Sequence, residues 1–332
     1  MENSIFHRLS SVLWGLIVTL MVLLAIYVSV GRMLVSNLGA YQAEILQELN
    51  ARVPFTIEAQ RVSGEWHSFT PVLVLGGLRL SVANSSEPPL VLSEGRIGLD
   101  VLNSLRTRSL QMTRVALDDL SLRGELTTQG QFKITGFDGG GQIGEWLREF
   151  LLNVELVALR DNLLNVSLPN GEVRNLDLDL LLTRDGSHRR VEAGLVSARG
   201  TEISVLAEGV GDPFQPQLFS GEVYLDIESS DLGAVKDMLA NGPPAVWAEG
   251  ALDLELWLAW NKGKPTVETR IEARGLRVTD REDSWQVLLD RVALEARLLQ
   301  RENRWTLFAS GLEVEKQGET LLLPRLQLDN WG

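Results

Sequence analysis

The sequence predicts a mainly β protein, with an N-terminal transmembrane helix followed by an elongated antiparallel sheet that a few short helices interrupt. Three observations predict it. Leu9 to Gly31 contains no charged residue. Beyond residue 55 the apolar positions recur with a period of two, and turn-forming residues punctuate those runs at short intervals. Leucine supplies 60 of the 332 residues, an excess that gives one strand after another a leucine-rich face.

The uncharged stretch lies between Arg8 and Arg32. About 20 apolar residues rising 1.5 Å each cross a hydrocarbon core of ~30 Å. Trp14 and Tyr27 stand near its opposite ends, where interfacial aromatics sit. The run exceeds the apolar region of a signal peptide, so an anchor is favoured over a cleaved leader, although Ser29-Val30-Gly31 offers a small-x-small pattern. In the head, residues 1–8, Arg8 and the α-amino group outweigh Glu2 and direct the N-terminus to the cytoplasm. After the span, residues 9–31, comes a helical segment over 32–54. Within it Leu38, Tyr41, Ile45, Leu46 and Leu49 recur at helical spacing until Pro54, which predicts one amphipathic helix from about Asn37 to Ala51.

The remaining residues, 55–332, form the β body. Leu73 and Leu75 alternate, then Leu78 and Leu80 alternate in the opposite phase, and the slip at Gly76-Gly77 predicts a bulge with one extra residue. A second slip, at Asp118-Asp119, precedes Leu120 and Leu122. Leu178 and Leu180 share one face of a later strand. The clearest strand carries Leu252, Leu254, Leu256 and Leu258, with Asp253 and Glu255 facing the other way. Pro169-Asn170-Gly171 and Asp185-Gly186 read as hairpin turns, as do residues 261–263, 281–283, 301–303 and 316–318. Short helices are expected over Gly144 to Asn153 and Asp231 to Asn241. A Gly-Leu-x-(Leu/Val) strand opener recurs at Gly77, Gly275 and Gly311, the mark of a stacked repeating unit. The last strand stops unfinished near Trp331-Gly332, so the β body is expected to be truncated at its C-terminal end.

Composition excludes several chemistries. The absence of cysteine rules out disulfides, thiolate nucleophiles and sulfur-ligated metals, and three histidines leave little for a metal centre or proton shuttle. A formal charge of −13 argues against nucleic acid. Gly139 to Gly144 matches G-x-G-x-x-G ahead of a helix, yet nothing downstream supplies the further strand–helix units of a nucleotide-binding sheet. The pairs Asp177/Asp179 and Asp253/Glu255 could flank a glycosidic bond but read more simply as solvated strand faces. No enzymatic activity, cofactor or metal is expected. The apolar strand faces outnumber the helices available to cover them, so the sheet either folds over into a sandwich or keeps an open apolar trough.

The order of features resembles the AsmA-like proteins of Gram-negative envelopes, most closely their very long YhdP branch. The residues that carry the resemblance are the span, Ala43-Glu44-Ile45, Arg52-Val53-Pro54-Phe55-Thr56-Ile57, Val62-Ser63-Gly64-Glu65-Trp66 and Pro71 through Leu80. The resemblance implies a relation to chorein-type bridge-like lipid-transfer proteins, and a curved, taco-shaped groove capped by the helix of 32–54. It also implies residence in the inner membrane as a single-pass protein with a periplasmic body, and phospholipids as partners on their way to the outer membrane. On that view the groove is lined by Leu73, Leu75, Leu78, Leu80, Leu120, Leu122, Leu178, Leu180, Leu252, Leu254, Leu256 and Leu258. The alternative is a scaffold for outer-membrane protein assembly that binds strands by edge pairing and conducts no lipid.

Overall fold

The computed structural model describes residues 2–67, 70–82, 88–107, 111–127, 132–135, 142–169, 171–233, 246–280, 285–301 and 304–330. Helix α1 covers Glu2–Ser36, a one-turn 3₁₀ helix covers Leu38–Tyr41, and α2 covers Gln42–Asn50. Two further helices are α3 (Val101–Thr107) and α4 (Gln142–Asn153). The strands are β1 (Thr56–His67), β2 (Thr70–Ser81), β3 (Leu90–Leu99), β4 (Met112–Asp118), β5 (Ser121–Leu126), β6 (Phe132–Ile134), β7 (Leu156–Ser167) and β8 (Val173–Asp185). They continue with β9 (His188–Ser197), β10 (Thr201–Val210), β11 (Ser220–Ser229), β12 (Val246–Asn261), β13 (Lys264–Asp280), β14 (Gln286–Arg301), β15 (Arg304–Lys316) and β16 (Glu319–Asn330).

The apolar window Leu13–Met33 of α1 is long enough to cross a membrane, and none of it is buried inside the protein. The helix outlasts the apolar run: Arg32 does not end it, and it continues to Ser36. The helix expected over Asn37 to Ala51 is divided. Asn37 leaves helical geometry at φ −108° and ψ 6°, its side-chain amide donates back to the Met33 carbonyl, and the 3₁₀ turn follows before α2.

All sixteen strands belong to one sheet. From β7 to β16 each strand pairs antiparallel with the next in sequence, as do β1 to β4. The expectation of a purely antiparallel meander fails at one place. There β4 and β5 both lie parallel to β7, end to end along it, and β6 hangs on β5. Parallel neighbours need a crossover, and α4 provides it. The helix predicted over Gly144 to Asn153 is therefore the linker of a β–α–β unit. Gly139 to Gly141 ahead of it lie outside the described residues, as does most of the predicted helix Asp231 to Asn241.

The turn signals meet hairpins. Lys262 and Gly263 have φ of 47° and 84°, and Gln317 and Gly318 have 54° and 81°. Positive φ at both central positions is the geometry that matches strand twist in a two-residue turn. Gly171 closes the β7–β8 turn by donating to the Leu168 carbonyl. Asp185 pairs with His188 around Gly186. Residues 281–283 and 302–303 lie outside the described residues.

The slip at Gly76-Gly77 is not an extra residue. Arg61 pairs with Gly76 and Ala59 with Leu78, so the register runs straight through. Gly77 instead has φ +62°, which inverts the side-chain phase without lengthening the strand. A Cβ there would lie 2.7 Å from the Gln60 side chain. The neighbours invert at the same level: buried positions pass from Ile57 to Val62 in β1 and from Leu92 to Ile97 in β3. Gly275 and Gly311 have φ of 59° and 63°. The recurring Gly-Leu-x-(Leu/Val) unit thus marks a mid-strand seam in β2, β13 and β15 rather than the opening of a strand, and at Gly275 and Gly311, unlike Gly77, the pairing with β12 and with β14 also shifts by one residue. At the slip expected near Asp118, Asp119 (φ 58°) separates β4 from β5, opposite Asp161 (φ 54°) in β7.

Candidate functional site

In a sheet, directly paired residues present their side chains to the same face. Starting from Leu75, the register leads in turn to Gly95, Leu117, Leu159, Leu180, Ala193, Val205, Leu225, Leu256, Thr269, Ala296, Ala309 and Leu326. That row crosses from β2 to β16 without a charged side chain. The adjacent row starts at Leu73, passes Leu182 and Leu258, ends at Leu328, and is aliphatic throughout. Below the seam Leu78 pairs with Leu92 and Leu80 with Leu90. Leu122 lies beside Leu164, and Leu120 accepts a hydrogen bond from Leu163. Leu178 is linked through Leu195, Ile203 and Ile227 to Leu254, and Leu252 lies two residues before it. All twelve leucines singled out in the sequence therefore stand on one face of one sheet.

That face is covered unequally. At the N-terminal end α2 lies over it: Leu49 joins Ile57, Val62, Leu73, Leu75, Leu78 and Leu92 in a core whose members are at most 9% exposed. Gln42 and Asn50 tie α2 to the β1 carbonyls of Ala59 and Ile57. Helix α4 follows. Trp146 stacks on Phe150 at 5.1 Å and meets Phe55 edge-on at 5.2 Å. The last carbonyls of α4 and the residue after it, Leu152, Asn153 and Val154, accept from Arg189 and Arg184. These two arginines have the parity of Leu182 and Val191, so they rise from the apolar face to hold the helix C-terminus, where cations are favourable. From β11 onward no described helix lies over the face. Leu254, Leu256 and Leu258 are half-buried there, whereas Leu75 is 1% exposed.

The opposite face is charged. Arg274 pairs with Asp253, and Arg270 bridges Glu255 at 3.0 Å and Glu295 at 3.3 Å. Arg291 contacts both Glu272 and Glu313 at 3.0 Å. The hydrogen bond from Arg291 holds the Glu272 carboxyl below its ordinary range, and Glu272 in turn raises Arg291. Burial, with Asp226 and Glu255 nearby, pushes the Tyr224 hydroxyl up. Asp253 and Glu255 are thus engaged in cross-strand ion pairs. Asp179 accepts the Asp161 backbone N–H at 3.0 Å, supporting the turn of the chain there. This face also carries hollows of about 490 and 750 Å³ beside Tyr224, and one of about 650 Å³ between Trp257 and Arg325. The two beside Tyr224 form where long side chains surround Gly194, Ser204 and Ala259. No group of three or more potential metal ligands occurs among the described residues.

Three functional-looking residues were not singled out in the sequence. Asn162 is 1% exposed; its carbonyl oxygen accepts the Leu120 N–H at 2.8 Å and its amide reaches the Leu178 carbonyl. It satisfies backbone groups that the seam removes from the ladder. Its only sequence signal is the Asp161-Asn162 break in an otherwise apolar run. Arg184 and Arg189 look like ordinary hairpin charges until α4 is placed above them.

No solved structure matches the chain. Among characterised proteins, the Intermembrane phospholipid transporter YhdP of Escherichia coli (strain K12) is 24% identical over 265 residues, which is 79% of this chain and 19% of that protein. The chain thus spans about a fifth of the length of this relative. The family described as YhdP protein matches residues 1–329. With the match running from the apolar helix α1 through the last strand, the chain belongs to the YhdP family.

Proposed function

We propose that this chain is the inner-membrane end of a bridge along which phospholipid moves toward the outer membrane, with acyl chains on the apolar face. The N-terminus is cytoplasmic, α1 is the single membrane pass, and the β body is periplasmic. The supporting observation is the uncharged, largely apolar row from Leu75 to Leu326, over which the described helices lie at its N-terminal end. Each CH₂ removed from water contributes about 0.8 kcal/mol, so a lipid tail gains along the whole row. The row has no fixed polar partner that would hold a lipid at one point, which suits sliding and needs no covalent chemistry. The curvature implied by the resemblance would turn the apolar face into the inside of the groove and leave the ion-paired face to water. The name of the E. coli relative agrees with this reading.

The test is lipid capture by a photo-reactive residue at Ile271, the cross-strand neighbour of Leu254. Capture of phospholipid is expected in the parent protein and its loss in Leu254→Asp and Leu256→Asp, both still folded and inserted. Undiminished capture in both variants overturns the proposal, and capture of peptide instead of lipid favours the scaffold reading.

A further inference from the structure

We propose that the end of β1 around Trp66 is a second membrane-contacting element, seated in the bilayer surface where α1 emerges and fixed there by a glycine-backed tryptophan. The inference goes beyond lipid conduction and does not depend on it. It requires only that α1 crosses the membrane.

The last turns of α1 run alongside β1 in the opposite direction. Trp66 meets Tyr27 edge-on with ring centroids 5.5 Å apart. One helical turn further on, a Cβ at Gly31 would lie 2.2 Å from the Trp66 ring, so the indole fills a notch that only glycine leaves. One more turn on, a Cβ at Gly64 would lie 2.5 Å from Val35 and 2.6 Å from Leu38. Helix and strand are thus in backbone-close contact at two consecutive levels. Long side chains at either glycine would push them apart.

The depth of the joint follows from its place on the helix. The apolar window ends at Met33, and Tyr27 and Gly31 lie six and two residues before that limit. At 1.5 Å per residue, the Trp66 ring sits about 3 to 9 Å inside the end of the window. A tryptophan against a tyrosine at that depth is the pairing expected at the membrane interface. The residues that flank Trp66 fit the same level. Glu65 and His67 alternate with Trp66, face away from α1, and are paired to each other at 3.0 Å with exposed side chains. One side of this strand end is therefore apolar and the other polar, as a boundary between headgroups and hydrocarbon requires. Trp66 stands on the apolar face, having the parity of Val62 and Gly64. The joint thus also sets where that face begins relative to the bilayer.

The chain contains no cysteine, so a single introduced thiol reports one position. His67→Cys, and separately Glu58→Cys at the far end of β1, carry an environment-sensitive fluorophore in full-length protein. The protein is reconstituted into phosphatidylethanolamine–phosphatidylglycerol vesicles containing a lipid with a nitroxide near its headgroup. Quenching is expected at position 67 and not at 58. Adding Gly31→Leu, which fills the notch, or Trp66→Ala, which empties it, is expected to abolish the quenching at 67 while α1 remains inserted. Absence of quenching at 67 in the parent, equal quenching at 67 and 58, or quenching unchanged by both variants overturns the proposal. A protein that fails to conduct lipid but is quenched at 67 leaves it standing.

Discussion

The two ends of the sheet carry the same leucine alternation and have different interiors. Under α2, Leu73, Leu75, Leu78 and Leu92 are at most 3% exposed and belong to one packed core. On β12, Leu254, Leu256 and Leu258 occupy equivalent positions on the same face and are only half-buried. The difference lies in what stands above the strands. The comparison teaches that alternation specifies a face, and that a separate element decides whether the face becomes a core or a surface. In the N-terminal part the leucines contribute to stability. In the C-terminal part no described helix covers Leu254, Leu256 and Leu258, while the stiffening interactions move to the charged side.

Three measurements can break or sharpen this contrast. The largest effect is expected for Leu75→Ala, where a fully packed side chain is removed. The loss is about 2 to 5 kcal/mol by denaturant or thermal unfolding. Leu256→Ala removes a side chain already half in water and should cost clearly less; equal costs would erase the distinction between core and surface. Next is Asn162→Leu, which leaves the buried Leu120 N–H without its acceptor and should cost about 1 to 3 kcal/mol. The C-terminal seam is built on Gly275, where a Cβ would meet nothing within 4 Å. Gly275→Ala there should cost only the ~1 kcal/mol of forcing a side chain into left-handed geometry. A smaller loss in Asn162→Leu than in Gly275→Ala would show that the two seams do not differ in the way proposed.

The smallest effect concerns acid. Glu272 has a folded-state pKa lowered below its ordinary 4.5, so its contribution is complete above that value and fades as pH falls through the lowered one. Protection factors of the β13 and β14 amides, corrected for the pH dependence of intrinsic exchange, should fall in that acidic window, and less so at high salt or in Arg291→Ala. A loss of protection confined to β1–β3 would place the acid-sensitive interactions in the wrong half.

Much of this architecture was legible in the sequence because period-two alternation and turn chemistry act locally. Leu252 to Leu258 read as a strand, Lys262-Gly263 closes a hairpin, and twelve leucines chosen for alternation share a face. What escaped has nonlocal causes. The parallel pairing of β4 and β5 with β7 depends on where α4 crosses, which no residue in β4 announces. The division at Asn37 depends on α2 packing against β1. The slip at Gly77 was visible, but its meaning was not. An extra residue and a left-handed glycine give the same one-dimensional pattern, and only the pairing of Gly76 and Leu78 with β1 distinguishes them.

The seams have a consequence for insertions and deletions. In an ordinary strand, losing one residue turns every side chain beyond it to the wrong side. Here a glycine with positive φ reverses the phase part-way along β2, β13 and β15, so each of these strands consists of two segments with separate bookkeeping of inside and outside. Such a sheet can change length at the seam without turning its greasy side to water, which gives a repeated two-strand unit a tolerant place to vary as it is copied along a long chain.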